Sequence, residues 1–180
     1  KMFMHTHNGL AVGSYNGDAN IEIGENCSLD MNISGIKVAG IGSCRGIATI
    51  ASDGSINMSC TGAQAVGIGV LDEGEGSVLV RKGKISMKMR SARQACIGTF
   101  GGSVNAKIKN AEIIIDSEGD EVVGIGDTTG SGNLSVVDSA VTMTILASSP
   151  IDIGSGGDIQ IQNSTINSLV NNKRISHESN

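Results

Sequence analysis

The residues with the most chemistry to offer are carboxylates. Asp72, Glu73 and Glu75 fall within one short stretch, Asp116, Glu118, Asp120 and Glu121 within another, and Asp127 and Asp152 stand apart beside glycines. Acids gathered on one face could do general acid and base work on a glycosidic bond, or hold calcium during elimination from a uronate. These clusters do not recur at a common offset: where one has Asp120 and Glu121, the equivalent later stretch has Ser148 and Ser149. In a chain of formal charge −5 that pattern reads as solvated acidic corners, and no catalytic residue is assigned.

His5 and His7 have the spacing that puts two imidazoles on one side of a strand, a geometry metals can use. Two ligands do not complete a site, and His177 lies far along the chain in a polar segment, so no metal or cofactor is expected. Cys27, Cys44, Cys60 and Cys96 lack any Cys-x-x-Cys spacing. They read as free thiols, which slightly favours an intracellular location over the cell surface or secretion. By spacing, Cys60 faces inward, Cys27 and Cys44 lie at corners, and Cys96 faces outward.

Arg81, Lys82, Lys84, Lys88, Arg90, Arg93, Lys107 and Lys109 are eight of the thirteen basic residues. A face built from them would suit acidic glycans, phosphate or nucleic acid. The net negative charge argues against nucleic acid as a partner of this domain. No apolar stretch approaches the ~20 residues of a membrane helix.

What positions these residues is a repeat. The phrases Leu10-Ala-Val-Gly13, Ala39-Gly-Ile-Gly42, Val66-Gly-Ile-Gly69, Ala95-Cys-Ile-Gly98, Val123-Gly-Ile-Gly126 and Ile151-Asp-Ile-Gly154 end on glycines spaced 29, 27, 29, 28 and 28 residues apart. Between them lie two alternating runs per unit. The first reads Ile21/Ile23, Ala48/Ile50, Val78/Val80, Ala106/Ile108, Leu134/Val136 and Ile159/Ile161. The second reads Leu29/Met31/Ile33, Ile56/Met58/Cys60, Ile85/Met87/Met89, Ile113/Ile115, Val141/Met143/Ile145 and a weaker Ile166/Val170. Period-two alternation marks strands with one buried face. Corner glycines such as Gly54, Gly83, Gly102 and Gly130 supply the turns.

With 180 residues, 39% apolar content, no Trp and only one Pro, the chain reads as an all-β, single-stranded, right-handed parallel β-helix. It would have about six coils of ~28 residues, each of three short strands. The domain covers residues 1–170, and 171–180 is expected as a flexible polar tail. Lys1 is no initiator, and the opening residues read as the end of a unit, so the chain is expected to be a piece of a longer one. Solenoid ends need covering, and end-to-end or side packing of copies is a natural way to do it.

Stacking the coils makes remote residues neighbours. Lys84 then lies over Glu112, Lys88 over Asp116, Arg90 over Glu118 and Arg93 over Glu121, as ladders of opposite charge. Arg81, Lys107 and Lys109 are left without acidic partners and form the candidate anion patch. Ala11, Gly40, Gly67, Cys96, Gly124 and Asp152 form a column of mostly tiny residues between two inward anchors. It is expected to face outward and to offer a close-approach binding face.

The Ala/Val-Gly-Ile-Gly phrase, followed by a Gly-rich turn and an Ile-x-Ile run, resembles bacterial Gly-Ile-Gly repeat β-helix proteins with carbohydrate-binding-like or adhesin-like modules, over Gly9 to about Val170. The resemblance implies a surface or accessory module rather than an enzyme. The expected function is a non-catalytic scaffold presenting a face to a protein or polysaccharide partner, or to itself. The alternatives are a polysaccharide lyase or glycoside hydrolase and the sensory domain of an intracellular bacterial regulator.

Overall fold

A computed structural model describes the backbone of residues 2–72 and 74–178, with side chains for 9–72 and 74–177. Strands alternate between two sheets. One is eight-stranded and holds β1 (Met2–Ser14), β3 (Ser28–Ser43), β5 (Ser55–Val70), β7 (Gly83–Thr99), β9 (Ala111–Gly126), β11 (Ala140–Gly154), β13 (Thr165–Val170) and β14 (Lys173–Glu178), in that order. The other is six-stranded and stacks β2 (Ala19–Ile23), β4 (Gly46–Ser52), β6 (Gly74–Val80), β8 (Ser103–Lys109), β10 (Leu134–Val137) and β12 (Ile159–Gln162). Every neighbouring pair except β13 with β14 is parallel. The chain is a β-solenoid of about six turns with ~28-residue spacing.

The second alternating run and the glycine-anchored phrase are one continuous strand, not two. Each coil is therefore a long bent strand and a short one. Inside, Val12, Ile41, Ile68, Ile97, Ile125 and Ile153 stand in single file. Met31, Met58, Met87, Ile115 and Met143 form a second file from the first half of the long strands. All but the first and last of the isoleucine file, and all of the second, are buried. Isoleucine suits the pleated wall, and unbranched methionine fills the space left across the coil.

The anchor glycines hold the coils at close distance. Gly98 has φ +135°, and a Cβ there would lie 1.8 Å from the carbonyl oxygen of Gly126 in the next coil. Only glycine combines that backbone with that approach. The corner glycine Gly102 serves the approach alone, since its Cβ would meet the Gly74 carbonyl oxygen at 1.9 Å without any left-handed φ.

The short strands depart from the expected alignment in the first coils. Ala19 pairs with Ala48 and Ile21 with Ile50, then Ile50 with Val78, two residues away from matching Ile21 to Ala48 and Ala48 to Val78. A slip of two keeps every side chain on its own face, so alternation alone does not register it.

The segment expected as a tail is also different. Lys173–Glu178 forms β14, antiparallel to β13, with Ile166 opposite His177 and Ser168 opposite Ile175. The turn uses Asn171 and Asn172 with φ of 47° and 63°, a region asparagine tolerates. The polar strand covers the hydrogen-bonding edge of β13.

Candidate functional site

The column of tiny residues faces inward, against the outward orientation expected from its spacing. Pairing runs Leu10 to Ala39 and Val12 to Ile41, skipping the residue between, and each later coil repeats the omission. This stacked kink turns two successive residues, such as Gly40 and Ile41, toward the interior. Gly40, Gly67 and Gly124 are buried, Ala11 and Asp152 half-buried, and Cys96 is 0% exposed. The reason is size. A Cβ on Gly40 would lie 2.5 Å from the Met58 sulfur, and one on Gly124 would lie 2.7 Å from that of Met143. Where Cys96 replaces glycine, the register puts Ile115 at the methionine position. Cys96 instead reaches Ser117 Oγ at 3.6 Å. Its thiol and that of Cys60 are pushed up to about 12 by burial, so both stay protonated. All four cysteines are free.

The kink leaves one residue of each phrase pointing outward. Ala39, Val66, Ala95 and Val123, with Leu10 and Ile151 at the ends, form an apolar row on the outside of the coil. Cys44, Leu71 and Phe100 fold back from the corners to cover it as a second small core. Each covering residue sits two positions after an anchor glycine: Gly42 to Cys44, Gly69 to Leu71, Gly98 to Phe100. An apolar residue at that fixed offset was the available signal for this layer, and the sequence reading missed it.

The covering layer walls a groove. On one side Lys37, Gln64, Arg93 and Glu121 stack in register, and on the other stand Arg45, Asp72 and Gly101. The larger cavity, about 580 Å³, lies between Lys37, Arg45, Gln64, Asp72, Arg93 and Phe100. A smaller one of about 250 Å³ continues along Arg93, Phe100, Glu121, Val123, Pro150 and Ile151. Lys37 Nζ donates to Asp72 Oδ1 at 3.0 Å, and Arg45 Nε stands 3.6 Å from Asp72 Oδ2. Arg93 Nε meets Glu121 at 2.9 Å while its guanidinium carbon lies 4.8 Å from the centre of the Phe100 ring. Burial, and next the Asp72 carboxylate, raise the Cys44 thiol beneath the covering layer.

The other candidates are dispersed. Arg81 is not free: it bridges Asp53 at 2.7 Å and Glu22 at 3.0 Å. Those two hydrogen bonds raise its pKa, and the Asp53 carboxyl is lowered by the same contact. Asp53 lies one coil away, beside the Ser52–Val80 pair, where the two-residue slip of the short strands hid it from the expected alignment, and Glu22 lies two coils away. Lys107 and Lys109 are exposed on β8, and the third member of the expected patch, Arg81, is engaged by Asp53 and Glu22. Of the stacked charges, Lys84 meets Glu112 at 2.8 Å and Arg93 meets Glu121. Arg90 meets both Asp116 at 2.7 Å and Glu118 at 3.4 Å, taking the carboxylate expected to pair with Lys88.

The acids do not converge. Asp116, Glu118 and Glu121 are paired along the outside of the long-strand sheet, Glu75 and Asp120 are exposed, and Glu73 lies outside the described residues. Asp127 is 2% exposed, and its Oδ1 accepts from the Gly156 amide at 3.1 Å. Asp152 accepts from Ile153 N and meets His177 Nε2 at 2.7 Å. Among the described residues no three His, Cys, Asp or Glu side chains gather as a metal site. The side chains of His5 and His7 lie outside those described.

No known protein family, curated protein or solved structure matches the chain. Its site is therefore defined by this geometry: a walled, partly cationic groove on a β-solenoid.

Proposed function

We propose that the protein is a non-catalytic binding module, a β-helical scaffold whose long-strand sheet presents the groove to a ligand or partner. The second apolar layer carries this reading. A solenoid needs only its inner files to stack, and a polar outer row would leave a flat wall; here Leu71 and Phe100 of the covering layer instead raise one side of a concave site. Its size falls within the range of ligand pockets, roughly 300–1,000 Å³. The resemblance of the Gly-Ile-Gly phrase to bacterial adhesin-like modules points the same way. The carboxylates favour it over a glycan-cleaving enzyme, because a retaining or inverting pair needs two acids about 5–10 Å apart across a substrate, and here Asp116, Glu118 and Glu121 are engaged by arginines.

The test is retention and cleavage measured together. Affinity electrophoresis against neutral and acidic polysaccharides should show retention without shortening of the polymer. Gln64→Trp, which fills the groove from an outward strand position, should abolish retention while leaving circular dichroism unchanged. Polymer cleavage that depends on Asp116 would overturn the proposal.

A further inference from the structure

We propose that the groove takes a free carboxylate bearing an apolar tail, its head held by Lys37, Arg45 and Arg93 and its tail laid over Val123 and Pro150. This rests on the groove being the binding face and adds the chemistry of what it binds. The two lobes differ in kind. The described charges of the larger lobe are three cations against the single carboxylate of Asp72, and Asp72 is engaged chiefly by Lys37. In the smaller lobe the described charges are Arg93, shared with the larger lobe, and Glu121, and the rest of its wall is mostly Val122, Val123, Pro150 and Ile151. A sugar would find few polar partners there, and an inorganic anion would leave that lobe empty. Charge complementarity at one end and apolar burial at the other select an amphipathic anion.

Arg93 and Phe100 line both lobes, so head and tail must meet beside them. Among the described residues Arg93 commits Nε to Glu121 and its face to Phe100, and its terminal nitrogens remain to donate to a ligand carboxylate in the bidentate manner arginine favours. Glu121 competes with the ligand for the same guanidinium.

The experiment is calorimetric titration of the purified protein with decanoate, decanol and acetate, below the decanoate micelle concentration. Decanoate should bind saturably at one site, with acetate and decanol each about tenfold weaker or more. Arg93→Gln should weaken decanoate about tenfold, and Glu121→Gln should tighten it severalfold by releasing the guanidinium. Decanol binding as well as decanoate, no saturable decanoate binding, or weaker binding in Glu121→Gln would each overturn the inference. If decanoate fails while a polysaccharide is retained in a Gln64→Trp-sensitive way, this inference falls and the binding-module reading stands. Failure of both sinks both.

Discussion

The two halves of each long strand lie in one sheet, yet the second breaks the alternation that the first keeps, and they treat their outer faces differently. In the first half, Ser28–Ser34 of β3 and its counterparts, an inner ladder of Leu, Met and Ile is backed by a polar row that carries the ladder of ion pairs. In the second half the kink puts two residues inside and leaves an apolar row outside, which the corners then cover. The first half is one core thick and the second is two. A surface that must be covered acquires walls, and walls make a groove; the first half carries its charges on a face without such a covering layer among the described residues.

The sharpest break of this contrast is at the inner file. Ile115→Asp buries an unpaired carboxylate at 1% exposure and should abolish cooperative folding, a loss of several kcal/mol. A variant melting like the parent in circular dichroism would contradict the register. The outer layer should be costly to lose but dispensable to the rod. Phe100→Ala is expected to lower stability by about 2 kcal/mol, below the ~3–5 kcal/mol of a fully enclosed aromatic, with strand content retained. Equal losses at both sites would mean the second layer is part of the main core.

At the last coil the small column turns polar, which makes a pH-dependent contribution. Burial alone would raise Asp152, but the hydrogen bonds from His177 and the Ile153 amide outweigh it; the Ser168 hydroxyl adds a little without hydrogen-bonding geometry, and the carboxyl sits below its ordinary value. A depressed carboxylate stabilises the fold above its unfolded pKa, about 4, and loses that contribution as pH falls through the folded value. The melting temperature of the parent should exceed that of Asp152→Asn at neutral pH, with the gap narrowing below about pH 4. A gap that widened in acid would contradict the assignment. Smallest is the flat face: Lys84→Ala removes a pair half-exposed on both sides and should cost about 0.5 kcal/mol or less, measured as a shift in thermal midpoint.

How much was legible follows from which interactions are local to the repeat. The isoleucine file, the methionine ladder and the Lys84–Glu112 and Arg93–Glu121 pairs all join residues one coil apart at matching positions, so laying the units over one another exposes them. Arg81 binding Glu22 spans two coils, and Arg90 reaching Asp116 runs diagonally. Long side chains choose among several acids by geometry that a position-by-position match does not contain. The groove was illegible for a further reason: Lys37 on a strand, Arg45 at the corner after it and Phe100 two coils on occupy unlike positions of the repeat, and only the folding back of the corners brings them to one cavity.

The order of residues by itself determined the period, the all-β character, the parallel stacking and the identity of the inner files, because a repeat of fixed length with period-two alternation has few other ways to bury its apolar face. Tertiary structure alone decided which way the glycine column faces and whether the C-terminal segment docks. A kink puts two successive residues of a row inside, and the residue types alone do not show where it falls. A polar strand is held by backbone hydrogen bonds, which carry no side-chain signature to read.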